Sequence, residues 1–340
     1  MGLTGTTVQG ASPQGTLGRI VAVLAAAALA LAVLGCGDDD GDEGADAGQK
    51  KPVTVNVSVL PITDVAAFYI GRDRGFFADE GLKVKPRLIG NAGVMVPSVQ
   101  SGDSQFGWSN TTSLIVARSR GLKLKIVTRG ALGGSSPAES GGARILVKRD
   151  SPVKSLKDRE GKTIAVPARR NITTLTTSRA LEKQGVDISK VKFVEVFFPQ
   201  AVPALERGRV DAAFVVEPFV TVGLRAGHRS ISTPLAETAP DYITAAFFTT
   251  EKYIAENKDV VDRFVRAVNR SFDYAAAHPQ AIRDVLPTYT QIPPAVAKRI
   301  ALPDFSRYRD TSTIELTADL AKKYGYIEKK PTLSELLYKP

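Results

Sequence analysis

At 340 residues, 43% of them apolar and 24% charged, the chain is long enough for two domains and has a globular rather than a disordered composition. A single Cys excludes intramolecular disulfides and thiolate metal clusters, so stability must come from packing. The formal charge of +10 raises the question of nucleic acid, but Lys and Arg are scattered, with no dense run and no aromatic-interleaved basic motif. No nucleic-acid partner is expected, and the basic surface suits anionic lipid or an anionic ligand better.

Residues 1–35 read as a signal peptide. An apolar run from Ile20 to Leu34 is shorter than the ~20 residues a membrane-spanning helix needs. It ends at Val33-Leu34-Gly35-Cys36, which resembles a bacterial lipobox, so Cys36 is the expected lipidation site and membrane anchor. Residues 36–52 follow as an acidic tether that cannot pack, because nothing larger than Ala interrupts its first Gly/Asp stretch. The run Asp38-Asp39-Asp40 lacks the rest of a calcium-binding loop and reads as a solvated spacer.

The body alternates strand and helix. Val53 to Val59 is a strand with period two, and a helix capped by Thr63 or Asp64 follows from Val65 to Arg74, closed by Gly75. Strands are expected at Val84–Ile89, up to Trp108 and at Leu122–Val127, with helices at Ala92–Ser101 and Thr111–Arg120 between them. The pattern then repeats. Strands fall at Thr163–Val166, Val191–Phe197 and Ala212–Val216, and helices at Asn171–Gln184, Gln200–Arg207 and Glu217–Ala226. From Thr250 the chain is nearly all helical. Strands joined by such helices give right-handed βαβ units and mostly parallel sheets.

One pattern occurs twice without a gap. Val96-Pro97 to Gly102, followed by Asp103 to Trp108, aligns with Val202-Pro203 to Gly208, followed by Arg209 to Phe214. Similar units in both halves predict two lobes and a cleft. The chain should cross between them at Ala143–Val147 and Tyr242–Phe247, two strands that would act as a hinge. Lobe one is then 53–142 plus 248–340, and lobe two is 143–247.

In open α/β sheets ligands gather at the C-terminal ends of strands, where helix N-termini also point. That rule selects Thr63 and Asp64, Asn91, Trp108, Ser109, Asn110 and Thr111 in one lobe. In the other it selects Arg169, Asn171, Thr173, Gln200 and Glu217. Each has a plain structural alternative: Ser, Thr, Asn and Asp are wanted as helix caps, Glu217 suits a helix start, and a strand-end Trp is often core. Of Arg169 and Arg170, at most one is expected to reach a ligand. Catalytic groups are scarce, because the two His, His228 and His278, sit away from strand ends and no body Cys exists. No metal site and no cofactor are expected.

Three segments carry a family resemblance. Ala67 to Val84 contains Gly75-Phe76-Phe77-Ala78-Asp79-Glu80-Gly81-Leu82. Val153 to Val166 contains Ser155-Leu156-Lys157-Asp158-Arg159-Glu160-Gly161-Lys162. Leu205 to Ala212 is followed by Glu217-Pro218-Phe219. Together they resemble the nitrate/sulfonate/taurine and thiamine-precursor solute-binding proteins, type II periplasmic binding proteins of ABC importers. The resemblance implies a two-lobed α/β fold with mixed, mostly parallel sheets and two hinge strands. It implies a monomeric, extracytoplasmic binder, not an enzyme, that hands a small solute to a permease and its ATPase. Val65 stands where pyrimidine-binding members often carry a His. Helix N-termini, Thr and Asn side chains and an Arg favour a small organic anion of sulfonate or nitrate type. Trp108, Phe198 and Phe219 favour the alternative, a flat heteroaromatic such as a pyrimidine, thiamine precursor or flavin; an enzyme acting on such a solute is a further alternative.

Overall fold

The structure, a computed structural model, describes residues 52–89, 92–134, 142–305 and 311–340. The signal peptide, Cys36, the tether up to residue 51 and Asn91 lie outside the described residues. The first sheet is built by β1 (Val53–Val59), β2 (Leu82–Leu88), β3 (Phe106–Asn110) and β4 (Leu124–Arg129), with α1 (Ala66–Asp73), α2 (Phe76–Asp79), α3 (Met95–Gln100) and α4 (Thr111–Ser119) between them. The chain then crosses to a second sheet of β5 (Ala143–Val147), β6 (Thr163–Val166), β7 (Lys192–Glu195), β8 (Ala212–Val216) and β9 (Arg229–Ser232). Its helices are α5 (Ile172–Lys183), α6 (Phe198–Glu206), α7 (Phe219–Arg225) and α8 (Pro234–Thr238). It returns through β10 (Ala245–Thr250) and ends in α9 (Glu251–Glu256), α10 (Lys258–Ala277), α11 (Pro279–Val285), α12 (Pro294–Ala297), α13 (Ser312–Lys323) and α14 (Leu333–Leu336).

The sheet orders are β2-β1-β3-β10-β4 and β7-β6-β8-β5-β9. The two orders are equivalent position for position. Three strands run parallel in each, and the fourth, β10 or β5, is antiparallel to both its neighbours. This is the two-lobed α/β architecture expected, with β5 and β10 as the crossing strands. β10 begins at Ala245, ahead of the expected return at residue 248.

The gapless sequence repeat is a structural one. It superposes β3 on β8, and the helices before them both end on a left-handed Gly, Gly102 at φ 84° and Gly208 at φ 67°. A side chain would be strained there. Where boundaries differ from the sequence reading, pairing explains the shift. β3 runs on to Asn110 because Asn110 pairs with Ala245 of β10. β4 starts at Leu124 because it meets Thr250 there. Neither Thr63 nor Asp64 caps α1, whose N-cap is Val65 with no side-chain bond; residues Thr63–Val65 form a 3-10 turn instead. The Glu217–Pro218 peptide is cis and the following helix begins at Phe219.

The first lobe is closed from beneath by α10. Its buried positions, Val260, Val261, Phe264, Ala267, Val268, Ser271, Phe272 and Ala275, recur at three- and four-residue intervals on one face. Phe264 lies at the centre of an aromatic cluster, stacked on Phe106 at 3.8 Å and 5.7 Å from both Phe77 and Phe247. Phe264→Ala is expected to cost about 3–5 kcal/mol of stability, read as a lower midpoint in guanidinium unfolding. A loss below ~1 kcal/mol would mean that α10 does not anchor this core.

Candidate binding cavity

The strand ends of the two lobes enclose a cavity with about 480 Å³ of empty space, part of it open to solvent. The volume open to a water-sized sphere is about 50 Å³, well below the ~300 Å³ or more of an open small-molecule site, so the lobes leave only a narrow space between them. The first lobe contributes Leu60, Ile62 and Asp64 after β1, Trp108 and Asn110 at the end of β3, and Thr244 and Ala245 at the start of β10. The second contributes Pro167 after β6, Asn171, Ile172 and Thr173 at the start of α5, Phe198, Phe214, Val216 and Leu235. The repeat brings Trp108 opposite Phe214 in alignment and Asn110 opposite Val216, and all four line the wall. Period-two alternation selects them: in each strand, residues two apart share a face.

Asn110 joins the lobes. Its Oδ1 accepts from Ser113 N at 2.9 Å, capping α4, and from Ile172 N at 3.3 Å, the first amide of α5 across the cleft. Its NH2 remains as a donor. Asn171 Oδ1 accepts from Thr173 N, Thr174 N and Thr173 Oγ1, at 3.1, 3.4 and 2.7 Å. The first amides of α5 are therefore occupied by protein oxygens. Trp108 is 4% exposed, and its Nε1–H has no partner among the described residues. A buried indole N–H normally finds one.

Asp64 supplies the acid of the cavity. Burial pushes its carboxyl from 3.8 up to about 7; its own backbone N–H opposes this and the nearby Glu217 charge reinforces it. Glu217 is 2% exposed and is also shifted up by burial. Its oxygens accept from Thr221 N at 3.0 Å, Thr221 Oγ1 at 2.8 Å and Ala301 N at 3.3 Å, so it faces its own helix and the C-terminal chain instead of the cavity.

Of the residues selected from sequence, Asp64, Trp108, Asn110, Asn171 and Thr173 line the cavity. Six others do not. Thr63 is fully buried and its N–H donates to Glu217 O at 3.1 Å. Ser109 alternates to the far face of β3 and is buried there. Thr111 Oγ1 donates to Ile243 O at 3.0 Å. Gln200 is exposed on α6. Glu217 is held as described. Arg169 is exposed, with its backbone N–H on Glu195 Oε1 at 3.0 Å, and with Arg170 it lines a separate surface groove beside Lys192, Phe193, Tyr324 and Tyr326. Phe219 packs 6.4 Å from Phe198, behind the wall. Sequence reasoning missed Leu60, Ile62, Pro167 and Leu235, which read as ordinary core. Among the described residues no Lys, Arg or His lines the cavity, and no His/Cys/Asp/Glu group is disposed to hold a metal.

A family model described as NMT1/THI5 like matches residues 62–282. The chain belongs to the NMT1/THI5-like family. Among curated relatives of this family member, the riboflavin-binding protein RibY of Chloroflexus aurantiacus is 26% identical over 235 residues. That match covers 68% of this chain and 65% of RibY, so the chain spans just under two thirds of that relative's length. The formylaminopyrimidine-binding protein of Halalkalibacterium halodurans is 25% identical over 265 residues, 76% of this chain and 77% of that protein. The alkanesulfonate-binding protein SsuA from Xanthomonas axonopodis pv. citri, solved with MOPS, shares the fold with a TM-score of 0.68 at 16% identity, over 85% of this chain and 97% of its own. Among the described residues, no helix of this family member is long and apolar enough to cross a membrane.

The raised Asp64 pKa fixes the sign of a stability effect. Between about pH 4 and 7 the folded chain holds a proton that the unfolded chain has lost, so Asp64 lowers stability as pH rises through this window, and the full penalty stands above it. Asp64→Asn, which keeps the volume, is expected to raise the ligand-free Tm by several degrees at pH 8 and to change it little at pH 4. An equal effect at both pH values would contradict the burial of this carboxyl.

Proposed function

We propose that this chain is an extracytoplasmic solute-binding protein of an ABC-type importer, and that its lobes close on a flat, uncharged heteroaromatic solute with an N–H edge, of pyrimidine or flavin type. The cavity chemistry carries this reading: apolar and aromatic walls from Trp108, Phe198 and Phe214, one carboxyl at Asp64, and no cationic side chain. The small organic anion favoured by sequence fits poorly. Its charge would be buried beside Asp64 without a counter-charge, and an unpaired buried ion is costly. The leading amides of α5, which could have received it, are taken by Asn110 and Asn171.

A heteroaromatic ring has what the cavity lacks. An acceptor on the ring satisfies Trp108 Nε1 or the Asn110 NH2, an N–H satisfies Asp64, and the faces lie on apolar walls. The relatives named for riboflavin and formylaminopyrimidine support the same class. We read the chain as a binder, because Asp64 and Glu217 are not placed as a working acid–base pair: Glu217 is consumed by Thr221 and Ala301. Lipid on Cys36, with residues 36–52 as tether, would moor a monomer to the membrane beside its permease and ATPase. The lobes, 53–142 with 244–340 against 143–243, would move about the two crossovers, and a ligand that touches both favours closure.

A thermal-shift and calorimetric panel of aminopyrimidines, riboflavin, taurine and nitrate tests the ligand class. The heteroaromatics are expected to raise Tm and the two anions to leave it unchanged. Affinity for the heteroaromatic should rise with pH toward about 7, up to tenfold per unit, as Asp64 ionises to accept the ligand N–H. Trp108→Phe should weaken binding by roughly 3–10-fold through loss of the donor. Tight binding of taurine or nitrate, with none for the rings, would contradict the proposal.

A further inference from the structure

A second set of contacts joins the lobes away from the cavity. Arg170 has a left-handed backbone, φ 55°, which is uncommon for a residue with a Cβ and persists where surrounding contacts over-determine it. Its guanidinium donates to Gly325 O at 2.7 Å and to Tyr326 O at 2.9 Å, with the Tyr326 ring 5.8 Å beneath it. Tyr326 Oη donates to Thr174 Oγ1 at 2.8 Å. That buried hydroxyl in turn accepts from Asn171 N and donates to Asn171 O. Tyr324 Oη donates to Glu182 Oε2 at 3.0 Å, and Lys323 pairs with Glu182 Oε1 at 2.5 Å.

The two sides of this contact belong to different lobes. Arg170, Thr174 and Glu182 lie on α5 and the turn before it. Tyr324 to Tyr326 follow α13, whose arm is fastened to the first lobe. Leu337 bridges Ile126 of β4, Tyr338 N donates to Ile126 O at 2.8 Å, and Ile314, Ala318 and Ala321 share an apolar cluster with Ile115 and Val116 of α4, which Leu175 of α5 also joins. Arg170 also precedes Asn171, Ile172 and Thr173, the part of α5 that forms the cavity wall.

The geometry points to Arg170 as a positioning residue for solute binding, which with Tyr326 clasps α5 to the C-terminal arm and holds the 171–173 wall in its closed position. The inference rests on the cavity being the solute site. An exposed guanidinium contact alone stabilises little. Here it acts with the bond from Tyr326 to buried Thr174 and with the backbone turn that Arg170 itself adopts. A clasp that raises the closed fraction raises apparent affinity by the same factor without touching the solute.

The amide of Ile172 reports on the clasp directly, because it donates across the lobes to Asn110. Hydrogen exchange of the full chain without solute, in Arg170→Ala and Tyr326→Phe, is expected to speed ~10-fold at residues 172–174. Exchange in β1 should stay unchanged, and Arg170→Lys should recover part of the protection. The Kd of the panel solute that raises Tm should weaken by the same factor as protection falls. Unchanged exchange at 172–174 in both variants overturns the clasp. Loss of protection in β1 as well overturns it by showing a general stability role. Lost protection with unchanged Kd overturns the positioning role. Should no panel solute bind, the proposed solute reading fails, and the exchange data still decide whether the clasp exists.

Discussion

One amide oxygen binds a helix start in each of this molecule's two halves. Asn110 Oδ1 caps α4 in the first lobe and accepts the first amide of α5 in the second. Both helices start at the ends of central strands, so this oxygen fixes the distance between the strand ends that wall the cavity. It also removes a donor that a helix N-terminus would otherwise offer to a ligand. Asn171 does the same for the next two amides. The consequence is chemical: at α4 and α5, two of the helix ends that the topology turns toward the cleft, the positive end is already satisfied by side-chain oxygens.

What remains in the cavity is apolar surface, one indole N–H, one amide NH2 and one carboxyl near neutrality. Each polar group is costly while unpartnered, Trp108 Nε1 most clearly because it is buried without an acceptor. Glu217 shows how the structure treats a buried acid that is not meant for ligand, surrounding its oxygens with three donors. Asp64 has no such shell beyond its own backbone N–H, and burial raises it instead. The contrast between these two carboxyls separates a structural acid from one left open to a solute.

Much of this was legible in sequence, for identifiable reasons. The gapless repeat gave β3 and β8 their equivalence because helix stop and strand are local features. Trp108 and Asn110 are selected because strand ends in open α/β sheets gather ligands. Asn171 was readable as a cap because capping is decided within three residues. The family followed from three ordered motifs. The misses are long-range. Arg170 is drawn away by carbonyls at residues 325 and 326, and Glu217 is tied to the amide of Ala301. Ser109 falls on the far face because β3 extends two residues further once β10 pairs with it. The apolar walls, Leu60, Pro167 and Leu235, carry no sequence mark that distinguishes a cavity lining from a core.

The central claim is that a planar, uncharged ring sits against Trp108 between the lobes. Trp108 is the chain's single Trp, so its emission reports on the cavity alone. Titration with an aminopyrimidine, with selective indole excitation, should give a saturable change that taurine competes with poorly or not at all. A saturable response to taurine or nitrate, with no response to any heteroaromatic, would contradict the account.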